Sequence, residues 1–351
     1  MPGVNFIELG VGNSAVLIRG VGMDPQTEGE ISSPTGGIYF GEVSLAGLTL
    51  LGGSADLKMI DLQRVEVLRG PQGTLFGSGT LSGAVRNIPN NPKLNKFEGS
   101  LKTGYSNTGK EGGGNRKFEG VINIPVIDDV LAIRAVAYNH NTSGYIKNIA
   151  GKALANNDFV FPGLSADDAI AVFGGAELYQ DERDIGETTH KGGRVSMLWA
   201  PTSALNITLQ HAYQDTEQKG QPYVELTNGR DYEQVTLQFG DGEGVAGMES
   251  GYQDEMNITN LVIEYDLGWA HILSSSSWLQ QDGARNQDQS AFGGFPIPQI
   301  GEGESEVSSQ ELRLVSELDG DFQYVLGGYY EDIDINASFI SWASTDEARD
   351  L

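Results

Sequence analysis

The strongest constraint on this chain is a series of segments, from Lys96 onward, in which apolar and polar side chains alternate. In residues 203–214, Leu205, Ile207 and Leu209 alternate with polar residues. Successive strand residues point to opposite faces, so the pattern predicts strands with one apolar and one polar face. Each is close to the ~9–11 residues that a tilted strand needs to cross a bilayer. About nine such strands are expected, at 96–106, 115–127, 130–141, 188–199, 203–214, 257–266, 268–281, 305–317 and 321–334.

The connections between these segments alternate in length. Long polar segments separate the tight turns, and short turns on one side with long loops on the other are typical of an outer-membrane β-barrel. The run Ser274–Ser277 interrupts the apolar face and favours the alternative, a soluble sandwich. The predicted turns are 128–129, 201–202, 267–268 and 319–320, and the predicted loops are 107–114, 142–187, 215–256 and 282–304.

The first 92 residues have a different pattern of apolar residues. Short apolar runs are punctuated by glycine, which indicates the short strands and turns of a small α+β unit. Two prolines among asparagines in Asn87–Pro92 then favour an extended linker. We therefore expect two domains, residues 1–92 and residues 93–351.

Composition excludes several classes of protein. The net charge of −26 repels phosphate backbones, so no nucleic-acid partner is expected. The absence of cysteine excludes disulfides and thiolate metal sites, and four histidines leave little material for a metal centre. No apolar run is long enough for a transmembrane helix, and the N-terminus lacks the features of a signal peptide.

No enzyme activity and no cofactor are expected either. The spacing of Gly10–Ala15 fits a dinucleotide-binding turn, but that site needs a following helix, and residues 16–20 are strand-like. The sequence has no G-x-S-x-G nucleophile elbow and no histidine in a persuasive catalytic setting.

One long motif carries a family resemblance. Residues 64–77, RVEVLRGPQGTLFG, followed by 83–88, GAVRNI, resemble the end of the plug domain of TonB-dependent outer-membrane receptors. Residues 16–22 and 37–43 resemble earlier plug phrases, and residues 309–314 resemble a barrel strand. The motif residues carried over by this resemblance are Arg64, Glu66, Arg69, Gly70, Pro71, Gly73 and Gly77.

The resemblance implies a mainly β fold, with a partial plug domain followed by about nine antiparallel strands of an incomplete transmembrane β-barrel. It also implies import of a scarce ligand, a ferric siderophore above all, across the bacterial outer membrane. The implied partners are TonB with its inner-membrane energising complex, the ligand and outer-membrane lipid. A soluble, secreted carbohydrate-binding or carbohydrate-processing protein is the alternative, and its outward strand face would be polar rather than apolar.

Large transporters of this type have about 22 strands around a plugged lumen. Family members also carry a signal peptide, a TonB box and an earlier plug segment ahead of the residues matched here. We therefore interpret the chain as an internal fragment that covers the later part of the plug and the first barrel strands.

A plug that stays in place, yet yields when pulled, suits polar attachments to the barrel wall. Arg69 ends a predicted strand, and Glu311 lies on a predicted barrel strand. We hypothesise an ion pair between them; the alternative is that Arg69 binds plug carbonyls. Arg86 stands where the family usually has a small or apolar residue, so its packing is an open question. The sequence does not identify the residues that bind the ligand.

Overall fold

The computed structural model describes residues 3–8, 11, 14–21, 36–45, 56–76, 80–156, 181–220, 222, 232–234, 251–288 and 298–341. Within these ranges the chain forms strands and two short helices. In chain order the elements are β1 (Val4–Glu8), β2 (Ser14–Ile18), β3 (Gly36–Phe40), β4 (Val43–Ser44), β5 (Leu62–Arg69), α1 (Gly73–Phe76), β6 (Gly83–Pro89), β7 (Glu98–Asn107), β8 (Gly114–Ile127), β9 (Leu131–Thr142), β10 (Ile146–Ile149), α2 (Ala150–Asn156), β11 (Asp181–Ile185), β12 (Thr188–Thr202), β13 (Leu205–Lys219), β14 (Glu233–Gln234), β15 (Gly251–Asp266), β16 (Ala270–Asp288), β17 (Pro298–Ser316) and β18 (Val325–Ser341).

Nine long strands form one antiparallel sheet in the order β18-β17-β16-β15-β13-β12-β9-β8-β7. They match the nine predicted strands. The predicted turns at 128–129, 267–268 and 319–320 lie between strands, whereas β12 continues through Thr202 and its turn is at 203–204 instead of 201–202. Several strands extend further than predicted on the side of the long loops: β15 begins at Gly251 and β17 at Pro298. Among the described residues, β7 and β18 each pair with a single neighbour, so this sheet is not closed.

The two faces of this sheet have the polarity of a barrel wall. On β13, Leu209 and Tyr213 are exposed, whereas Gln210, Gln214 and Thr216 are buried. A soluble sandwich would bury the apolar residues, so this inversion identifies the apolar face as the outward one. We call the nine-stranded sheet the wall and its polar face the inner face.

The serine run that favoured a soluble sandwich fits this wall. Ser275 and Ser277 are buried on the inner face. Ser274 and Ser276 point outward, where Ser276 donates a hydrogen bond to the Gln310 amide oxygen and the Gln310 nitrogen donates to Ser274 over 3.0 Å. The outward serines therefore satisfy their polar groups laterally, and the alternation continues through the run.

The N-terminal residues pack on the inner face as a small separate unit. Its four-stranded sheet has the order β4-β3-β6-β5, with β3 parallel to β6, and β1 pairs with β2 as a hairpin. Because β2 is a strand, the dinucleotide spacing that precedes it lacks the helix that such a site needs. A buried apolar cluster joins this unit to the wall: Phe40, Val43, Leu45 and Leu57 pack with Ala212, Met256, Ile258, Leu279 and Val307.

Outside these sheets, β10 lies between β11 and β14 in a three-stranded sheet on the side of the long loops. Helices are short: α1 spans four residues and α2 seven, and no helix in the described ranges has the length and apolar character needed to cross a membrane.

The polarity of the wall generates a prediction about folding in lipid vesicles. Leu209→Arg places a charge on the outward apolar face and should lower the free energy of unfolding by about 2–4 kcal/mol. Gln253→Arg places the same charge outward but beyond the apolar rows, near the long loops, and should cost less than about 1 kcal/mol. Urea titrations of both variants measure the difference. Equal effects would mean that the outward face does not contact hydrocarbon.

Candidate functional site at the interface of the plug unit and the wall

Directly before β5, the N-terminal unit is bound to the wall by several side-chain contacts. Residues 56–61, here called the strap, form no regular secondary structure. Leu57 is buried in the apolar cluster, while the neighbouring backbone groups face the wall. Buried backbone groups without secondary structure need other partners. The wall supplies these partners from its side chains.

The side chain of Gln214 forms the kind of backbone hydrogen bonds with the strap that a neighbouring strand would form. Its side-chain oxygen accepts a hydrogen bond from the Lys58 backbone nitrogen over 2.8 Å, and its side-chain nitrogen donates to the Asp56 carbonyl over 2.7 Å. The Tyr138 hydroxyl donates to the same Gln214 oxygen over 2.8 Å, and the amide nitrogen also donates to Thr216 over 3.0 Å. One buried side chain therefore satisfies two backbone groups of the strap and is held in orientation by two wall residues.

Asp61, the last strap residue, forms a bidentate ion pair with Arg134 of β9. The Arg134 Nε donates to Asp61 Oδ2 over 2.7 Å, and Nη2 donates to Oδ1 over 2.6 Å. Both side chains are 7% exposed. Arg134 also donates to Glu98 of β7 over 3.0 Å. Parallel hydrogen bonds between a guanidinium and a carboxylate combine charge with fixed geometry, so they also define the position of the strap.

Arg194 of β12 binds the same end of the strap. Its Nη2 donates to Asp61 Oδ2 over 2.9 Å, and its two terminal nitrogens donate to the Ile60 and Asp61 carbonyls over 3.3 Å. Asp61 has a φ of 59°, a conformation that aspartate adopts more readily than most residues. Asn90, which ends the N-terminal unit, donates to the Asp61 carboxylate over 2.9 Å. Asp61 is therefore the residue where the strap, two wall strands and the domain linker meet.

At the other end of the strap, Asp56 faces His190 of β12. The His190 Nε2 lies 3.6 Å from Asp56 Oδ2, is buried and has no hydrogen-bond partner. Burial alone would raise the pKa of the Asp56 carboxyl, but interactions with His190 and the charge of Lys58 outweigh it and hold the pKa below its usual value. Asp56 is therefore ionised at neutral pH.

A second ionic connection to the wall runs through Glu42, in the turn between β3 and β4. Arg86 donates to Glu42 over 2.8 Å and to Glu66 over 3.1 Å, and Arg313 of β17 donates to Glu42 over 3.0 Å. Arg86 thus connects β5 to the wall through one carboxylate. The side chains of Arg313 and Glu42 are 24% and 23% exposed, so water reaches this connection.

The residues of the sequence motif lie at the end of β5 and in the turn after it. Gly70 has a φ of 90° and α1 begins at Gly73, so the chain turns sharply after β5. Arg64 donates to Glu66 over 2.6 Å, and this hydrogen bond holds the pKa of the Glu66 carboxyl below its usual value. Gly77 lies outside the described residues.

The structure does not join Arg69 to Glu311. Arg69 is exposed at the end of β5, while the cation beside Glu311 is Arg313, at 3.5 Å. The hypothesised partnership is therefore replaced by the pair Glu42–Arg313. The reason is topological: Glu42 lies in a turn directed at β17, whereas Arg69 ends its strand opposite Gly83 of the N-terminal sheet.

A cavity of about 430 Å³ separates the N-terminal unit from β17 and β18 beside this second connection. Tyr39, Glu42 and Arg86 line one side, and Arg313 and Tyr329 line the other. Burial raises the pKa of the Tyr39 hydroxyl to about 12, and this hydroxyl donates to the Phe76 carbonyl. These polar groups of the lining are therefore neutral or paired.

No group of three or more histidine or carboxylate side chains in the described part of the chain is arranged to hold a metal ion. The interface contains paired charges, amides and hydroxyls. Such an arrangement attaches one unit to another through many directional polar contacts.

From these contacts we predict that Asp61 contributes more than any other described strap residue to the attachment of the strap to the wall. Asp61→Asn keeps the shape and the backbone preference but leaves Arg134 and Arg194 without their shared charge. Removing one partner of a buried ion pair costs about 3–5 kcal/mol. Hydrogen exchange of the strap, followed by mass spectrometry, should accelerate accordingly. Glu66→Gln breaks a water-accessible pair worth less than about 1 kcal/mol and is the control. Equal exchange in both variants would contradict this role of Asp61.

A matched pair on β13 tests the role of Gln214. Gln214→Leu leaves the Asp56 carbonyl and the Lys58 N–H without partners, at about 1–3 kcal/mol for each buried group. Gln210→Leu, on the same face of β13, removes the hydrogen bond that Gln210 accepts from the Ser196 hydroxyl and removes no strap contact. Exchange of the Lys58 amide should accelerate in the first variant and stay unchanged in the second. If the Gln210 variant loosens the strap equally, general disruption of the wall is responsible.

Comparison with known proteins gives a family match for the N-terminal part of the chain. Residues 1–84 match the family described as TonB-dependent Receptor Plug Domain. This match covers β1 to the start of β6, the unit that packs on the inner face.

Solved structures match almost the whole chain. The ferric yersiniabactin uptake receptor FyuA from Yersinia pestis has a TM-score of 0.71 at 18% identity, over 97% of this chain and 46% of that receptor. The ferripyoverdine receptor of Pseudomonas aeruginosa has a TM-score of 0.64 at 15% identity, over 96% and 40%. The copper transporter OprC has a TM-score of 0.61 at 12% identity, over 96% and 42%.

The chain thus spans less than half the length of these solved proteins, and at these identities the likeness shows the fold. Residues 1–84 thus match the plug domain of TonB-dependent receptors, and nearly the whole chain has the fold of these solved proteins.

Proposed function

We propose that this chain forms part of a receptor that imports a scarce metal chelate, a ferric siderophore in the first instance, across the bacterial outer membrane. The observation that carries the proposal is the plug unit seated on the polar face of a wall whose other face is apolar. Residues 1–92 serve as the later part of the plug and residues 93–351 as the first part of the barrel.

The character of the plug attachment supports energy-coupled transport. The strap is bound by ion pairs and amide hydrogen bonds, each of which can be exchanged for water once the interface opens. A wholly apolar interface would offer no such stepwise replacement. TonB and its inner-membrane complex would supply the work, and the activity is transport rather than catalysis.

The ligands of the three solved proteins that match this chain indicate which ligands to test. Two of the three are receptors for iron chelates and one is a copper transporter. The soluble carbohydrate-binding alternative requires a polar outer strand face, and the apolar outward residues of the wall disfavour it.

Uptake measurements test this function. The native gene, with its own flanking sequence, is expressed in a bacterium without siderophore receptors. We expect cells to accumulate radioactive iron from yersiniabactin or pyoverdine only when TonB is present. Radioactive copper serves as the second probe. Accumulation that is equal without TonB, or equal to vector-only cells for every probe, would contradict the proposal.

A further inference from the structure

A glycine of the wall leaves space for a contact that crosses a strand. Tyr138 of β9, Gly192 of β12 and Gln214 of β13 lie side by side in one row of the inner face. The Tyr138 hydroxyl passes over Gly192 and donates to the Gln214 side-chain oxygen over 2.8 Å. Both side chains are buried: Tyr138 is 7% exposed and Gln214 is 1% exposed. Two residues from strands that are not neighbours are thus in direct contact inside the protein.

This contact requires a residue without a side chain at position 192. A Cβ built on Gly192 would overlap the Tyr138 hydroxyl oxygen and the Tyr213 carbonyl oxygen, and would lie 2.6 Å from the Tyr138 ring carbon Cζ. Gly192 does not have a positive φ, so its backbone conformation is open to other residues. Space, rather than conformation, therefore requires glycine here, and a larger residue would displace the Tyr138 hydroxyl.

The hydrogen-bonding positions of the Gln214 amide are divided between the wall and the strap. Its oxygen accepts one hydrogen bond from Tyr138 and one from the Lys58 backbone nitrogen. Its nitrogen donates one hydrogen bond to Thr216 and one to the Asp56 carbonyl. A side-chain amide has two acceptor positions and two donors. The two contacts with the wall therefore leave one acceptor position and one donor, and the strap backbone uses both.

We propose that Tyr138, in the space left by Gly192, is a positioning residue that holds the Gln214 amide where the strap backbone binds it. A glutamine side chain has several rotatable bonds, and restricting them costs conformational entropy. Because the wall restricts them in advance, the strap binds an amide that is already in place. The inference rests on the proposed function, in which the strap belongs to a plug that the receptor retains.

A double-mutant cycle tests whether Tyr138 acts through Gln214. The receptor, expressed from its full gene and purified in lipid vesicles, is followed by hydrogen exchange of the peptide that contains residues 56–61. Tyr138→Phe keeps the ring and removes the hydroxyl, so exchange of the strap should accelerate by about three- to tenfold. In the Gln214→Leu protein the same substitution should change the rate by less than about twofold, because the amide that Tyr138 positions is gone. Asp61 still attaches the strap in that protein, so a further acceleration would remain measurable.

Gly192→Ala and Gly193→Ala form a matched pair on β12. A Cβ on Gly193 would lie 2.6 Å from the Val136 carbonyl oxygen, so both substitutions strain the wall, but only the Cβ on Gly192 meets Tyr138. Gly192→Ala should accelerate exchange of the strap at least as much as Tyr138→Phe, and Gly193→Ala should change it by less than about twofold. If Gly192→Ala does not fold, the cycle with Tyr138→Phe decides alone.

Three results would overturn the proposal. They are unchanged strap exchange in Tyr138→Phe, an equal acceleration by Tyr138→Phe in the Gln214→Leu protein, and an equal acceleration by Gly192→Ala and Gly193→Ala. Neither a ligand nor TonB is used, so the outcome is independent of the uptake measurements.

Discussion

The structure depends on the requirement that polar groups facing away from water find partners within the protein. Between its two edge strands, β7 and β18, the wall satisfies its backbone groups through the ladder of neighbouring strands, which is the condition for strands in lipid. Alternation then sends polar side chains to the inner face, where they too need partners. The strap, an irregular segment with unpaired backbone groups, meets this need. Gln214 therefore stabilises both sides of the interface with a single amide.

The same reasoning explains why the attachment is specific. A buried ion pair adds little net stability compared with apolar packing, but removing one partner is costly. Asp61 fixes the strap at one position because Arg134 and Arg194 approach its carboxylate from two strands. Phe40 and Leu57 add apolar contact nearby, which has no directional preference. Position is thus set by the ionic contacts, and the apolar cluster increases the buried area.

The sequence predicted the architecture well because strand alternation and turn residues are local signals. The nine wall strands and their short turns follow from that pattern. The interface could not be predicted in the same way. Residues 56–61 contain no motif, and Gln214 is one of several polar residues at alternate positions of its strand. The partner of Glu311 was predicted wrongly, since the approach of Glu42 to β17 depends on how two units pack. The sequence feature that could have indicated the strap interface is Asp61, a carboxylate directly before the start of β5.

The net charge of −26 is a property of the whole chain and says little about the interface. Beyond the apolar rows, four outward carboxylates stand directly opposite one another on consecutive strands: Asp215, Glu255, Asp282 and Glu304. Like charges in this arrangement repel, but water and salt screen them at an exposed edge. At the interface, Asp61 and Glu98 face Arg134 and Arg194 in equal number. These four carboxylates lie where solvent tolerates their repulsion, whereas the strap is attached where opposite charges are paired.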